Sequence, residues 1–307
     1  MSAHVPPPNT PEWEAWRDGG VGASEVPALL GEDRWITERG LALEKRRLVP
    51  HHAPTTAMDW GHRVEALGAS LYEERTGRTL EEPGTLIHPR WQHVFATPDR
   101  RAGDRLVELK WTNRWSEPPR RVVIQCQVQM AVAVAAVVDV VVMGPYGEPR
   151  FHEIERDERD GFALCDWAEE WYERYVLGDE LPPLDGSDET RRHLDSLGGT
   201  GTMRATDEQS RLMAALRAAR RDKAGAEEDE ARIRNLLVAS MAGMERVDGP
   251  GWHITWKSYK GRTTTVWKDV AMGLAKGRGR LLKSLLAAHT SIGGSSRPFT
   301  PHWEEED

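Results

Sequence analysis

Two acids and a lysine stand close together in the segment FATPDRRAGDRLVELKW, and these are Asp99, Glu108 and Lys110. Residues 105–110 alternate as a β-strand does, so Glu108 and Lys110 should point to the same face. The strand before it should end at Asp99, and the turn RAGD would then bring this carboxylate to that face. Two carboxylates beside a backbone carbonyl offer the oxygen ligands that Mg²⁺ prefers. A lysine beside them can orient or deprotonate a water and offset charge on phosphorus oxygens. The pattern favours hydrolysis of a phosphodiester.

A plainer interpretation of the same residues is an ion pair on a solvated strand, because 29% of the chain is charged. A third acid, Glu65, favours the catalytic interpretation. It lies in residues 58–77, which have the pattern of an amphipathic helix whose other side is apolar. His62 has no histidine or cysteine at ligand spacing nearby, so we do not expect a zinc site there.

The remaining patterns predict an α/β core. Thr10 should cap a short helix, and Ser24 should cap a second helix that ends at Gly31. The long segment PPRRVVIQCQVQMAVAVAAV favours a helix. The continuous apolar run VDVVVMG after it is typical of a strand buried on both faces. A further strand, RFHEIER, and an amphipathic helix complete this core.

Composition divides the chain in three. We expect a nuclease domain over residues 1–180, a linker rich in Pro, Gly, Asp and Ser over 181–205, and an accessory region over 206–307. In the accessory region, Thr206 and Gln209 predict a capping box for a long helix or helical hairpin. A β-hairpin, a basic segment and an acidic tail should follow. The accessory region could contact DNA or a partner, or serve only for oligomerisation or packing.

Cysteine content and hydropathy limit the class of protein. Cys126 and Cys165 are too few for a disulfide framework or a four-cysteine metal site, which indicates a reducing compartment. No apolar run approaches the ~18 residues of a membrane span, and the first residues lack the pattern of a secretory signal. We therefore expect a cytoplasmic protein. The net charge of -8 does not exclude DNA as a partner, since basic residues can line one channel.

Four segments, taken in order, resemble the successive motifs of the YqaJ-type viral recombinase nucleases. These are relatives of the phage lambda exonuclease within the PD-(D/E)xK superfamily. The segments are RDGGVGASEVPALLG, WGHRVEALGASLYEERTG, HPRWQHVFATPDRRAGDRLVELKW and PPRRVVIQCQVQMAVA. The resemblance covers roughly residues 10–180. It implies a restriction-endonuclease-like α/β core, with a central mixed β-sheet flanked by helices, followed by the C-terminal helical and hairpin extension.

The resemblance also implies roles for single residues around the metal. Asp99 and Glu108 would be metal ligands, together with the carbonyl of Leu109. Lys110 would be the catalytic lysine. Glu65 would be the acid that the helix contributes near a second metal ion.

Further residues would hold the DNA. Arg17 and Ser24 match the positions that hold the 5′-phosphate of a DNA end, and Thr97 falls where a hydroxyl assists. Gln125 and Gln127 fit the pattern QxQxxM, which Met130 completes. Two residues apart on a helix, these glutamines face different sides, so at most one should meet the substrate.

Some of these residues have simpler interpretations, and the sequence departs from the family pattern in places. Ser24 could act only as a helix cap, and Arg17 could be a solvated helix residue. The usual GGSD is GASE here, with Ala23 and Glu25, and Val122 replaces a frequent aromatic residue. These departures concern recognition of the DNA end and leave the metal ligands intact.

The expected function is a Mg²⁺-dependent 5′ to 3′ exonuclease of phage or prophage recombination. It would act on double-stranded DNA ends with two Mg²⁺ ions, which Mn²⁺ could replace, and leave 3′ overhangs. A DNA endonuclease and a catalytically inactive DNA-binding scaffold are the alternatives. The resemblance further implies a single-strand annealing partner and a homo-oligomer, with a trimer suspected. Arginines near the site could contact the DNA backbone, and these are Arg100, Arg101, Arg105, Arg114, Arg120 and Arg121.

Overall fold

The computed structural model describes residues 5–8, 10–52, 56–112, 115–144, 148–250, 252–256 and 284, without the side chains of residues 57–59 and 62. The chain divides into two compact units, residues 1–198 and 199–307.

The first unit contains helices and strands in alternation. Its helices are α1 (Pro11–Trp16), α2 (Val26–Leu29), α3 (Glu38–Lys45), α4 (Thr56–Thr76), α5 (Arg120–Ala133), α6 (Glu158–Tyr172) and α7 (Asp188–Ser196). Its strands are β1 (Val21–Gly22), β2 (Leu86–Ile87), β3 (Val94–Ala96), β4 (Arg100–Ala102), β5 (Arg105–Trp111), β6 (Val137–Met143) and β7 (Arg150–Glu155).

Two small sheets carry these strands. The larger has the order β4-β5-β6-β7, in which β5 and β6 run parallel and the outer pairs run antiparallel. The smaller has the order β1-β3-β2, with β1 parallel and β2 antiparallel to β3. The parallel pair β5 and β6 needs a crossover connection, and α5 supplies it.

Helices cover both faces of the larger sheet. Successive side chains of β5 point to opposite faces, so the strand offers apolar residues to a helix on each side. Its odd residues Val107 and Leu109 pack with Tyr72 of α4. The even residue Leu106 packs with Cys126 and Met130 of α5 in another cluster. Close approach of α4 depends on Gly68, where a Cβ would lie 2.5 Å from Cε of Met143. The prediction of a mixed sheet flanked by helices is confirmed.

A third cluster joins the smaller sheet to the helices around it. Val21 of β1 and Val94 of β3 are fully buried there, together with Val128 of α5 and Trp171 of α6. This packing fixes β3, and therefore the chain that leaves it at Thr97, against the larger sheet's helix α5.

Residues 181–197 were expected to be linker, but they pack on the first unit. Thr37 donates a hydrogen bond to Asp185 at 2.5 Å, and Arg39 donates to the carbonyl of Pro182. Glu189 at the start of α7 is buried and accepts from Arg192 at 2.7 Å. The polar composition that favoured a linker instead provides these bonds.

The second unit contains α8 (Asp207–Ser240) and the antiparallel strands β8 (Arg246–Gly249) and β9 (Trp252–Thr255). The capping box of Thr206 and Gln209 is present. The region from 207 to 240 is one helix, and not a helical hairpin. The hairpin that the sequence predicts for GWHITWKSYKGRTTTVWKDV begins before that segment, at β8. The part of the segment after residue 256, the basic segment and the acidic tail fall almost entirely outside the described residues. Among the described helices, none is long and apolar enough to cross a membrane.

Candidate active site

Asp99 lies at the junction of the two sheets. The sequence suggested one strand ending at Asp99 and a turn leading directly into β5. Instead, β3 ends at Ala96 in the smaller sheet, and the chain enters the larger sheet through β4, whose Arg100 pairs with Val107. The Oδ2 atom of Asp99 accepts a hydrogen bond from the backbone N–H of Leu109 at 2.7 Å. This hydrogen bond fixes the carboxylate of Asp99 beside β5, the strand that carries Glu108 and Lys110.

Glu108 and Lys110 both leave β5 on the side that α5 covers, as the alternation predicts. Glu108 is only 2% exposed, and its Oε1 lies 2.5 Å from Nζ of Lys110. Burying a carboxylate is costly unless it is paired and hydrogen-bonded. The lysine therefore serves as the counter-charge that makes this buried position tolerable.

Two glutamines of α5 complete the environment of Glu108. Gln125 donates from Nε2 to Oε1 of Glu108, and Gln129 donates to Oε2, each at 2.7 Å. Four residues apart, the two amides lie on one face of the helix. Sequence analysis missed Gln129, although its spacing from Gln125 was a signal that could have found it.

Gln127 does not reach this site. Its Nε2 donates to the carbonyl of Glu155 at 2.8 Å, and its Oε1 accepts from the backbone N–H of Asp157 at 2.8 Å. It fastens α5 to the connection between β7 and α6. The expectation that only one of Gln125 and Gln127 faces the site agrees with this geometry, and Gln125 is the one.

Charge is concentrated among these groups. Burial, and then the negative charges of Glu108 and Glu65, raise the pKa of Asp99 well above its usual range. Burial alone would lower the pKa of Lys110, but the charges of Glu108 and Asp99 raise it instead. Lys110 is consequently held as a cation, while the acids repel one another and favour the arrival of positive charge.

Ten residues were given a metal, catalytic or DNA-end role from the sequence, and eight of them line one cavity of about 720 Å³. Its lining includes Glu65, Asp99, Glu108, Lys110, Gln125, Arg17, Ser24 and Thr97. Gln127 is not part of the lining, and Leu109 contributes its backbone N–H to Asp99. A helix and two sheets therefore bring the acids, the lysine and the predicted phosphate-binding residues to one cavity.

Arg17 is not a freely solvated helix residue. Its Nη2 donates to Oε1 of Glu25 at 2.7 Å, and Lys45 lies 2.7 Å from the other carboxylate oxygen. The backbone N–H of Gly22 also donates to Glu25 at 2.8 Å. Burial would raise the pKa of Glu25, but the charges of Lys45 and Arg17 outweigh it and hold this pKa at about 2. The triad of Arg17, Glu25 and Lys45 holds the guanidinium at the cavity wall and carries one net positive charge.

Ser24 and Thr97 lie on the same cavity. The prediction that Ser24 caps a helix is wrong, because the N-cap of α2 is Glu25 and no side chain caps it. The carboxylate of Glu25 is instead engaged by the two distant cations. Thr97 Oγ1 lies 3.0 Å from Oγ1 of Thr85, which accepts from Nε1 of Trp13 at 2.8 Å. The hydroxyl of Thr97 is thus positioned by a short chain of hydrogen bonds.

The arginines near the site differ in whether their guanidinium groups are already held by carboxylates of the protein. Arg105 is tied to both carboxylate oxygens of Asp139, at 2.9 and 2.6 Å, and also to Glu153. It fastens β5 to β6 and β7 and is not free to contact DNA as expected. Arg120 is largely exposed, 3.3 Å from Glu32, and Arg121 stacks over Trp115. Arg114 lies outside the described residues.

Two other regions hold ionisable groups. A cavity of about 820 Å³ shares Arg17 with the cavity of the candidate site and is lined by Glu44, His51 and His52. Asp99, Glu108 and Lys110 are not part of its lining. His93, Glu169 and Glu173 also lie close enough to share a cation. Glu169 already accepts the backbone N–H groups of residues 92 and 93 at 3.0 and 2.8 Å, so it has a structural task in joining β3 to α6.

Residues 12–136 match the family model of the YqaJ-like viral recombinase domain. This confirms the resemblance drawn from the sequence motifs. The chain is also similar to the Uncharacterized protein YqaJ of Bacillus subtilis (strain 168), with 27% identity over 196 residues that cover 60% of this chain and 61% of that protein. The chain therefore spans less than two thirds of this relative.

Two solved structures are similar over 55% of the chain. One is LHK-Exo in complex with dAMP, with 24% identity, a TM-score of 0.48 and 93% of its chain covered. The other is an alkaline exonuclease (LHK-Exo) from Laribacter hongkongensis, with 26% identity, a TM-score of 0.44 and 98% covered. Because both TM-scores lie below 0.5, the fold assignment rests on the sheet topology above.

Proposed function

We propose that this chain, whose residues 12–136 match the family model of the YqaJ-like viral recombinase domain, is a Mg²⁺-dependent exonuclease acting on double-stranded DNA ends. At each duplex end it would digest the strand that terminates there in a 5′ end, and leave the other strand as a 3′ overhang for recombination in a phage or prophage. One observation carries this proposal. Glu65, Asp99, Glu108 and Lys110 line the same cavity as Arg17, Ser24 and Thr97.

The acids of this cavity fit divalent cations. Glu65, Asp99 and Glu108 supply carboxylate oxygens, and the backbone carbonyl of Leu109 would complete the set, as the resemblance implies. Hard oxygen donors of this kind suit Mg²⁺, which keeps its remaining positions for water and phosphate, and Mn²⁺ could replace it. The raised pKa of Asp99 also fits, because crowded negative charge is what a cation relieves. Two ions in such a site would lower the pKa of a bound water and stabilise charge on the phosphoryl oxygens.

The sequence suggested that Lys110 either deprotonates a water or offsets negative charge, and its surroundings favour the second role. Glu108 and Asp99 hold it protonated, so it is suited to donate hydrogen bonds and offset charge rather than to remove a proton. Its Nζ is also fixed by its contact with Glu108 at 2.5 Å. A donor fixed in advance needs little reorganisation when negative charge develops on a phosphate oxygen.

Other residues of the same cavity are suited to the end of a DNA strand. Arg17 presents a guanidinium, and Ser24 and Thr97 present hydroxyls, all of which can donate to phosphate oxygens. A phosphate held by these residues would bring the neighbouring phosphodiester into the cavity that the acids line. We expect a preference for a 5′-phosphorylated end, as the resemblance to the lambda-type enzymes implies.

Digestion of labelled DNA tests the proposal. The full-length protein is incubated with Mg²⁺ and either a linear duplex labelled separately at each strand's 5′ or 3′ end, or a covalently closed circle. We expect the 5′ labels to be released from the linear duplex first, while the 3′ labels stay on long strands. The circle should stay intact. Cutting of the circle would identify an endonuclease, and no digestion of either DNA, with binding retained, would identify an inactive scaffold.

The assembly of the protein also belongs to this proposal. Resemblance to the lambda-type enzymes supports a homo-oligomer, with a trimer as the first candidate, and a single-strand annealing protein as partner. Such a partner would coat the 3′ strand as it is released. Sedimentation of the protein alone, and then with an annealing protein present, distinguishes these assemblies by mass.

A further inference from the structure

The second unit exposes a long helix with an ordered pattern of side chains. α8 has 34 residues, none of which is buried. Leu212, Ile233 and Leu237 on this helix are 63%, 50% and 43% exposed. In soluble proteins, most of the stability of a helix comes from packing one of its faces. An exposed apolar pattern on α8 therefore calls for a partner.

Six apolar residues of α8 belong to one stripe of eight positions. Successive members are three and four residues apart, which is the spacing of a coiled-coil seam. The stripe contains Leu212 and Leu216 near its start, Ala219 and Ala226 at its middle, and Ile233 and Leu237 near its end. The two remaining positions of the stripe are charged, with Lys223 and Glu230 seven residues apart.

Charge around the stripe is divided by sign. Four of the seven residues 217–223 are basic and one is acidic. All four residues 227–230 are acidic. The two segments lie on either side of the middle of the helix, so reversing the direction of α8 exchanges the basic segment with the acidic one.

This division decides how a second α8 could pair with the first. In a parallel pair, Lys223 would face Lys223 and Glu230 would face Glu230 inside the seam, and like charges there are destabilising. In an antiparallel pair, Lys223 instead lies beside the acidic segment of the other copy. Leu212 of each helix then meets Leu237 of the other. The same antiparallel arrangement satisfies the charges and the leucines.

We propose that α8 is an interaction surface for a second copy of this chain, and that the two helices pair antiparallel along the stripe. Such a contact is isologous, because the same surface is used by both copies and the pairing closes. The inference does not depend on the proposed nuclease activity. It gives the C-terminal unit a role in assembly, since α8 would join two copies whatever contacts the first unit makes.

Charge exchange along the helix tests the pairing. Three variants of the full-length protein are compared with the unchanged chain by sedimentation over a range of concentrations, namely Lys223→Glu, Glu230→Lys and the double variant. We expect each single variant to weaken the contact at least about tenfold in Kd, roughly 1.4 kcal/mol. The double variant should weaken it further, because it puts an acid beside the acidic segment and a base beside the basic segment of the other copy. Circular dichroism confirms that α8 remains helical in each.

Equal mass for all four proteins at every concentration would overturn the proposal, and so would a double variant that pairs as tightly as the unchanged protein. Each α8 binds one other α8, so the trimers proposed above would join through α8 into assemblies of six copies. An assembly of three copies that stays at three over the whole concentration range would contradict the pairing.

Disulfide trapping tests the direction of the helices. Leu212→Cys and Leu237→Cys are prepared separately, with a mass tag on one, and oxidised alone and as a mixture. We expect a mixed disulfide in the mixture and none in either protein alone. The native Cys126 and Cys165 are buried and do not compete. Ala214→Cys, on the outer side of α8, is the matched control, and it should form no disulfide.

Disulfides within Leu212→Cys alone would show a parallel pair and overturn the proposed direction. Absence of the mixed disulfide, at concentrations where the protein forms even-numbered assemblies, would show that another surface joins the copies.

Discussion

Charged residues serve different purposes in the candidate active site and in α8. Glu108 is 2% exposed, touches Lys110 at 2.5 Å and accepts from two glutamines. In α8, Glu230 accepts from Arg234 at 2.8 Å, but about 70% of each side chain is exposed. The distances are similar, whereas the surroundings differ. An ion pair gains strength as its surroundings become less polar, so burial rather than distance separates the two regions.

The triad of Arg17, Glu25 and Lys45 should show the largest effect. Glu25→Gln leaves the buried Lys45 without its counter-charge, which costs roughly 3–5 kcal/mol of unfolding free energy for a broken buried pair. Urea unfolding at pH 7 measures this loss. Asp188→Asn in the exposed pair with Arg191 is the matched control and should change stability by less than about 0.5 kcal/mol. Equal losses in both variants would remove the difference between buried and exposed pairs.

The same triad predicts a dependence on pH. The pKa of Glu25 is about 2 in the folded protein and 4.5 in its ordinary state. A lowered carboxyl pKa contributes stability that is present above 4.5 and is lost as the pH falls towards 2. The unchanged protein should therefore lose unfolding free energy over this window more steeply than Glu25→Gln does. Identical slopes in urea unfolding between pH 4.5 and 3 would show that Glu25 is not paired.

Lys110 should show the next largest effect, on activity and also on folding, because Glu108 loses its counter-charge. Lys110→Ala removes a fixed donor from the site, for which a loss of about 10²–10³-fold in digestion rate is expected. The initial rate on a linear duplex measures it, and circular dichroism checks that the fold survives. Arg191→Ala, at an exposed position of α7, removes a cation of the first unit outside the cavity and should leave the rate unchanged. Equal rates for the two variants would exclude Lys110 from the reaction.

Local patterns predicted the residues that a single element positions. Alternation along β5 placed Glu108 and Lys110 on one face, and the break after the preceding strand marked Asp99. The apolar side of α4 also indicated that Glu65 faces the other way, towards the cavity. In each case one strand or helix sets the direction of the side chain, so the sequence contains the information.

Contacts between distant elements could not be predicted in this way. The choice of Gln125 and Gln129 over Gln127 depends on how α5 is rotated against the sheet, which no pattern within α5 specifies. Glu25 rather than Ser24 is the N-cap of α2, and its carboxylate contacts Lys45, twenty residues away, instead of capping the helix. Residues 181–197 have the composition of a linker, and their packing depends on Thr37 and Arg39 far earlier in the chain.

Gln129 is an uncharged residue that supports the buried charge of Glu108, and it tests whether hydrogen bonds as well as ion pairs matter more when they are buried. Gln129→Met removes one donor to Glu108 and should lower activity about 10–100-fold, as expected when a residue that orients a metal ligand is lost. The Mg²⁺ concentration for half-maximal activity should rise as well. Gln127→Met, two residues away, loses two hydrogen bonds outside the cavity and should lower stability without changing the Mg²⁺ requirement. The same Mg²⁺ requirement in both variants would show that Gln129 only fills space.

The exposed pairs of α8 should show the smallest effect. Arg232→Gln breaks the contact with Asp229 at 2.9 Å and keeps a residue of similar helix propensity. Because both side chains are largely exposed, the loss should be about 0.2–0.5 kcal/mol, and 1 M NaCl should remove it by screening. Urea unfolding followed at 222 nm, with and without salt, measures the difference. A loss above about 1 kcal/mol that survives the salt would mean that this side of α8 is covered, and the pairing surface would then have to extend beyond the stripe of Leu212 to Leu237.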